Sequence, residues 1–253
     1  MAEIYLSTID ENAHILAKSK GFGLEIAQFC TAWNMDARFS ETDEAVQKEI
    51  AGVTKKLLHA PFNELFPCAI DPEARALASR RYRQAIALAK NYGASKVVIH
   101  GGYNPRIYYP VWYVEQSILF WKDFLTEDPG VEIVLENVLE ETPELLLDIV
   151  QGVDDPRLRL CLDVGHANAY SGIPALQWLE RSAPWLSHFH IHNNDGSWDT
   201  HSQLFEGTIP MEDILESIGA RCPDASVTLE LMDAAPSVAW LEAFQWKKSS
   251  SKR

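Results

Sequence analysis

Residues 186–195 read LSHFHIHNND. Side chains alternate across a β-strand, so His188, His190 and His192 share one face while Phe189 and Ile191 take the other. The run is apolar on its second face, as a buried strand requires, and it ends in groups that bind metals. The same text recurs in LLHAPF (57–62), VVIHGG (97–102), IVLENV (133–138), LCLDVGH (160–166) and VTLELM (227–232). Short apolar runs of this kind read as strands of a parallel sheet buried on both faces. Two positions before each polar residue, an apolar or small one lies deeper on the same face: Leu57 before His59, Val98 before His100, Val134 before Glu136, Cys161 before Asp163, Thr228 before Glu230. Distant parts of the chain therefore bring imidazoles and carboxylates to one end of one sheet.

Working outward, strand-like text falls at 4–8, 23–29, 56–60, 96–101, 132–137, 158–164, 186–192 and 226–231, with helical text between. The clearest helix is 72–92, where Ala, Leu and Ile recur every three or four positions amid Arg and Lys. Asp71-Pro72-Glu73, Thr142-Pro143-Glu144 and Pro210-Met211-Glu212 place proline and acids at helix starts, and Gly93 and Gly219 fall where helices should stop. Eight consecutive βα units predict an α/β chain folded as a single (β/α)₈ TIM barrel, with function at the carboxyl ends of the strands. A doubly wound open sheet would expect a Gly-rich turn after the first strand, and Leu6-Ser7-Thr8-Ile9 offers none. The barrel is expected over 1–246, followed by a disordered polar tail over 247–253.

The chain of 253 residues, 47% of them hydrophobic, is long enough to bury a full core. No apolar stretch of roughly 18 residues exists to span a bilayer, and MAEIYLSTID lacks the basic-then-apolar order of a signal peptide. Cys30, Cys68, Cys161 and Cys222 are scattered without a CxxC pair, which predicts reduced, mostly buried thiols and a cytoplasmic protein. A net charge of −14 disfavours a nucleic-acid backbone as partner.

A lone His such as His59 or His100 at a strand end is usually a hydrogen-bonded rim residue. Glu136 and Glu230 at the ends of apolar strands say more, because a buried carboxylate is costly unless paired or bound to metal. Together the set predicts a divalent metal site. Carboxylate and imidazole without thiolate suit Zn, Mn, Co, Fe or Mg alike.

The text Cys161-Leu162-Asp163-Val164-Gly165-His166-Ala167, His190-Ile191-His192-Asn193-Asn194-Asp195-Gly196 and Asp199-Thr200-His201 resembles the xylose isomerase-like TIM barrels, the group of sugar isomerases, epimerases and endonuclease IV. The resemblance runs from Gly23-Leu24-Glu25-Ile26 to Leu229-Glu230. It implies a metal centre of Glu136, Asp163, His190 and Glu230. It also matches His59, His100, His166, Asp199 and His201 to positions that complete a three-zinc cluster in endonuclease IV, so one to three ions per chain are expected. Against the endonuclease pattern, the first strand carries no His motif, Asn137-Val138-Leu139-Glu140-Glu141 replaces a glycine-rich turn, and Thr200 stands where an Arg would meet phosphate.

The expected reaction is therefore metal-dependent isomerisation or epimerisation of a sugar or related polyol through an enediolate, with Glu136 and Glu230 as acid and base and His166 beside them. A zinc-cluster phosphoesterase of the endonuclease IV type is the alternative. Glu25, inward on the second strand, together with Trp33, Tyr103, Arg106 and His192, is expected to meet the substrate, with the aromatics of 103–113 as a cover. His188, deepest on its strand, is expected to be a hydrogen-bonded core residue. Lys96, at the opposite barrel end, is expected to form a solvated ion pair. The partner is a small sugar-like molecule, with pairing to a second copy left open.

Overall fold

Eight parallel strands close on themselves in chain order. They are β1 Glu3–Ser7, β2 Gly23–Ile26, β3 Lys56–His59, β4 Lys96–His100, β5 Glu132–Glu136, β6 Leu158–Asp163, β7 Leu186–Ile191 and β8 Ser226–Leu229. The structure is a computed structural model and describes residues 2–251. Around the barrel lie α1 Ala13–Lys20, α2 Ala32–Met35, α3 Phe39–Ile50, α4 Pro72–Tyr92, α5 Pro110–Phe124, α6 Glu144–Val153, α7 Val164–Tyr170, α8 Ala175–Ser182, α9 Met211–Arg221 and α10 Ala235–Ser251. The side chains of the polar tail expected over 247–253 lie outside the described residues, although the backbone of α10 runs to Ser251.

One helix per strand was the expectation, and two short helices are added, α2 after β2 and α7 after β6. The strands also stop one to three residues earlier than their text suggests, because residues such as Gly101, Asn137 and His192 leave the ladder to build the rim. Local chemistry sets the helix ends. Asp71 caps α4 by accepting from the Glu73 amide at 2.7 Å, Pro72 starts its first turn, and Gly93 closes it in the left-handed conformation. Gly219 does not end its helix. It sits on the exposed side of α9, whose buried face is Met211, Ile214 and Ile218, and the helix runs on to Arg221. Among the described residues no helix is long and apolar enough to cross a membrane.

Most of the apolar core lies between barrel and helices. Inside the barrel a separate buried group forms from Val98, Val134 and Cys161, the residues two positions before His100, Glu136 and Asp163. This is the layer that strand parity predicted. Register then sets the rim: His100 pairs with Glu136, and Glu136 pairs with Cys161. A register shift between Leu160 and Cys161 brings Asp163 level with His190. The cysteines are all free, three of them buried and Cys30 partly so.

Lys96 closes the opposite end. Its ammonium donates to the Ser187 carbonyl at 2.6 Å and lies 3.3 Å from Glu132, so it is a partly buried plug of the barrel floor rather than a solvated ion pair.

Candidate metal centre

Glu136, Asp163, His190 and Glu230, from the ends of β5 to β8, present four donor atoms within 4.8 Å of one another. His190 Nδ1 lies 3.2 Å from Glu136 Oε1, 3.1 Å from Glu230 Oε2 and 3.8 Å from Asp163 Oδ2. The first three residues are buried and Glu230 faces the mouth.

Glu136 divides its two oxygens between neighbours. Oε2 faces His59 at 3.3 Å and His100 at 3.4 Å, while Oε1 faces His190 and, at 3.3 Å, His166. On the far side, Asp199 Oδ2 lies 3.3 Å from His166 Nε2 and 3.1 Å from His201 Nε2. All nine residues named for metal thus meet in one contiguous cluster. His201 is held there with φ 48°, a left-handed backbone that an L-residue adopts at a cost and that the loop must enforce.

The orientation of the imidazoles fits a cation. His59 Nδ1 donates to the Ala60 carbonyl at 2.9 Å, His166 Nδ1 to the Asn137 carbonyl at 2.9 Å, and His201 Nδ1 to the Glu230 carbonyl at 2.8 Å. His190 reverses the pattern, donating from Nε2 to Glu25 Oε1 at 3.0 Å. The nitrogen left with a lone pair faces Glu136 in His59 and His190, and Asp199 in His166 and His201. Holding one ring nitrogen on an acceptor so that the other can ligate is the usual way proteins orient metal-binding histidines.

The electrostatics agree. Burial pushes the Glu136 carboxyl up, but the imidazoles around it, His190 foremost, hold it well below the usual carboxylate range. Burial pulls His190 down, and the surrounding acidic groups, Glu25 and Glu136 among them, raise it well above the usual imidazole value. Asp199 is likewise raised by burial and lowered further by its bonds to His166 and His201, while His201 is pushed up to about 9 by Asp199 against its own burial. Without an ion, this much buried negative charge is balanced by shared imidazole protons. A divalent cation supplies that charge directly.

The residues expected to meet a substrate are placed less uniformly. Glu25 lies 1% exposed beneath His190, and its carboxylate is taken up by His190, by His188 at 3.2 Å and by the Thr228 hydroxyl at 2.5 Å. Its oxygens are thus engaged within the barrel, below the mouth. Tyr103 is buried against Tyr113, with ring centroids 4.8 Å apart, and Tyr113 donates to Glu140, so these aromatics pack under the loop rather than cover the mouth. Trp33, on the short helix α2, and Arg106, in the turn before α5, are both exposed. His192 is buried and bonded through Nε2 to Asp163 Oδ2 at 3.1 Å, which makes it part of the cluster and not of a substrate wall. His188 is a core residue, with Nδ1 on Ser226 Oγ at 2.7 Å.

The sequence reading passed over several residues. Phe62 stacks on His100 at 4.4 Å, and Tyr170 stacks on His166 and meets the exposed Trp198 edge-on. Asn137 ties two strand ends together, donating to the Asp163 carbonyl at 3.0 Å and accepting from the Asp163 amide at 2.9 Å. Asn193 donates to the Leu204 and Ile209 carbonyls and folds the loop back on itself. The HAPF text signals Phe62 by its nearness to His59. Nothing in the sequence marks Tyr170 or Trp198.

A closed parallel barrel with acidic and imidazole groups converging at the carboxyl ends of its strands is a scaffold whose rim offers donor atoms suited to a metal ion. The chain belongs to the xylose isomerase-like TIM barrel family, whose model matches residues 16–250. It is 32% identical over 207 residues to an uncharacterised protein of Methanocaldococcus jannaschii, covering 74% of this chain and 69% of that protein. It is 25% identical over 201 residues to fructoselysine 3-epimerase of Shigella flexneri, covering 75% and 70%. Among solved structures, a D-tagatose 3-epimerase-like protein superposes with a TM-score of 0.79 at 23% identity over the whole of both chains. A Thermus thermophilus protein soaked with zinc chloride superposes with a TM-score of 0.78 at 25% identity, covering 97% of this chain and 98% of that one.

Proposed function

We propose that this protein is a metal-dependent isomerase or epimerase of a sugar or sugar-related polyol. The observation that carries the reading is the placement of Glu136 and Glu230, which reach one donor atom, His190 Nδ1, from separate strands at 3.2 and 3.1 Å. Two carboxylates that flank one position can serve the two faces of a small substrate. The relationship to a fructoselysine 3-epimerase and the likeness to a D-tagatose 3-epimerase-like fold support the same class.

Glu136, Asp163, His190 and Glu230 would hold the ion, which when bound polarises a carbonyl and its adjacent hydroxyl. One of the two glutamates, as the carboxylate, would take the proton from the hydroxyl-bearing carbon beside the carbonyl, and the other, as the carboxylic acid, would deliver a proton to the opposite face in an epimerisation; in an isomerisation the proton would go to the former carbonyl carbon while the hydroxyl proton passes to the former carbonyl oxygen. In the metal-free cluster both carboxyls are held below the usual carboxylate range, which suits either to act as the base. His166 Nε2, aimed toward Asp199, is placed to hold a substrate hydroxyl or a second ion. Phe62, Tyr170 and Trp198 supply apolar surface beside these groups.

The experiment is proton exchange. Zinc-, manganese- or cobalt-loaded protein is incubated in D₂O with a panel of ketoses and Amadori-type fructosamines, and deuterium uptake at the carbon next to the carbonyl is followed by NMR. Uptake with epimer formation, lost in Glu230→Gln, is the expected result. Absence of exchange across the panel, with cleavage of an abasic DNA duplex or a phosphodiester, would replace this reading by the phosphoesterase one. That second reading is favoured by one observation, that His59 and His100 on Glu136, and His166 and His201 on Asp199, offer donors for more than one ion.

A further inference from the structure

The loops that follow the carboxyl ends of the eight strands surround the mouth. They carry no lysine, and their only arginines are Arg38 and Arg106. Arg38 is engaged by Glu41, its Nε donating at 3.1 Å, while Arg106 stands exposed in the turn before α5. Arg75 and Arg81 reach these loops from α4 and are bonded there to the Ile70 carbonyl at 3.0 Å and to Asp36 at 2.7 Å. Lys96 plugs the opposite end of the barrel. Carboxylates are far more numerous on the same loops, and Asp195, Glu206 and Asp233 are exposed there.

A (β/α)₈ barrel that binds a phosphate commonly does so on the loops after its seventh and eighth strands, with helix-terminal amides aimed at the anion. Here amides of both loops are already bonded to the chain's own side chains. At the start of α10 the Ala235 N–H donates to Asp233 Oδ1 at 3.1 Å and the Ala234 N–H to Asp10 Oδ2 at 2.9 Å. In the loop after β7 the Ser197 N–H donates to Asp195 Oδ1 at 2.9 Å and the Gly196 N–H to Asn194 Oδ1 at 3.0 Å. A phosphate brought to either loop would have to displace a carboxylate or meet it as a like charge.

The loop after β7 offers an aromatic surface instead. Tyr170 stacks on His166 with centroids 6.2 Å apart, and Trp198, 66% exposed, meets Tyr170 edge-on at 6.1 Å. Trp198 adjoins Asp199, whose Oδ2 lies 3.3 Å from His166 Nε2, so the two rings lead from the cluster out to solvent. An indole face accepts a carbon chain and attracts a cation, and it has nothing to give a phosphate.

We infer that the substrate is a sugar without phosphate, whose further substituent carries no negative charge and lies against Trp198. Asp10, Asp195 and Asp233 select against a phosphate ester. The inference rests on the isomerase or epimerase reading above and narrows its substrate class.

The test applies the D₂O exchange assay to metal-loaded protein, with matched derivatives of each ketose that exchanges: the free ketose, its terminal phosphate, a terminal butyl ether and a terminal butylamino derivative. The ether, the amine or both should exceed the free ketose in kcat/KM; a gain for the amine alone assigns the indole to a cation, and a gain for both assigns it to the carbon chain. The phosphate should fall at least about tenfold below the free ketose at low salt, and the gap should narrow as salt screens the loops. Trp198→Ala should erase the advantage of the substituted sugars, mainly through KM, and Trp198→Phe should restore part of it. Asp233→Asn keeps an acceptor for the Ala235 N–H and should narrow the phosphate gap. A phosphate that exchanges as well as the free ketose overturns the inference, and loss of that exchange in Arg106→Gln would locate the anion site. Substituted sugars that gain nothing, or a gain that survives in Trp198→Ala, also overturn it. In each of these cases the isomerase reading stands, because the ketoses exchange. Exchange with no ketose sinks that reading and the inference with it.

Discussion

Glu230 and Glu25 show how differently two inward carboxylates of one barrel are used. Glu230 stands just past its strand and faces the mouth, where it can touch a substrate; Glu25 lies a layer below, bonded to His190, His188 and Thr228. Glu230→Gln should therefore cut turnover by at least about 100-fold, the low end of what a positioned acid or base contributes, with the thermal midpoint little changed. Retained turnover in a well-folded variant would rule out the assignment. Glu25→Gln should act through the metal, since it loosens the ring that offers Nδ1 to the centre. Changes to such supporting partners typically cost roughly 10–100-fold in metal affinity, which a chelator competition would read directly.

At the scale of elements, the long loop after β7 completes what the strand ends begin. It delivers Asp199 and His201, and it is pinned by an antiparallel bridge between Asn193 and Ser202 and by the Asn193 side chain, which donates to Leu204 and Ile209 and accepts from the Asn194 and Ile209 amides. Asn193→Ala would leave several buried backbone groups without partners. We expect a loss of about 1–3 kcal/mol in urea unfolding, together with weaker metal uptake, because the loop also enforces the left-handed backbone of His201. Unchanged stability would mean that the bridge to Ser202 alone sets the loop. By contrast α4, with its Asp71 cap, supports the barrel without reaching the site. Asp71→Ala should cost about 1 kcal/mol and leave metal binding untouched.

For the molecule as a whole, the cluster ties stability to pH and metal. In the metal-free chain the depressed carboxylates Glu25, Glu136, Asp163, Asp199 and Glu230 contribute stability that is present above their unfolded values, near 4.5 for Glu and 3.8 for Asp, and is lost as pH falls. The raised imidazoles His59, His166, His190 and His201 contribute stability that is full below about 6.5 and lost as pH rises through their folded values, about 9 for His201. His100, pulled by burial to about 4, works against stability on the acid side. Metal-free protein should thus be most stable between roughly pH 4.5 and 6.5, and urea midpoints should fall from pH 6.5 to 9. Bound zinc displaces the imidazole protons, so the loaded protein should not show that alkaline fall. Uptake at about pH 7 should release protons, seen as a buffer-dependent binding enthalpy; an enthalpy independent of buffer would contradict this account.

The order of strands, the inward parity of each polar residue and the apolar layer beneath them were legible in the sequence, because a period of two and short buried runs are local properties that a closed barrel preserves. Val134 below Glu136 and Cys161 below Asp163 could be read without coordinates. What only the tertiary structure decided is how those residues are used. Which nitrogen of His190 faces the acids depends on Glu25, 165 positions away in the chain. Whether Tyr103 covers the mouth or packs under it depends on Tyr113 and on the path of a loop. The opposition of His192 Nδ1 and Asp199 Oδ1 arises from strand register, a glycine at 165 and a folded loop together. Such facts are sums of many long-range placements, each set by packing, and no local pattern in the chain encodes them singly.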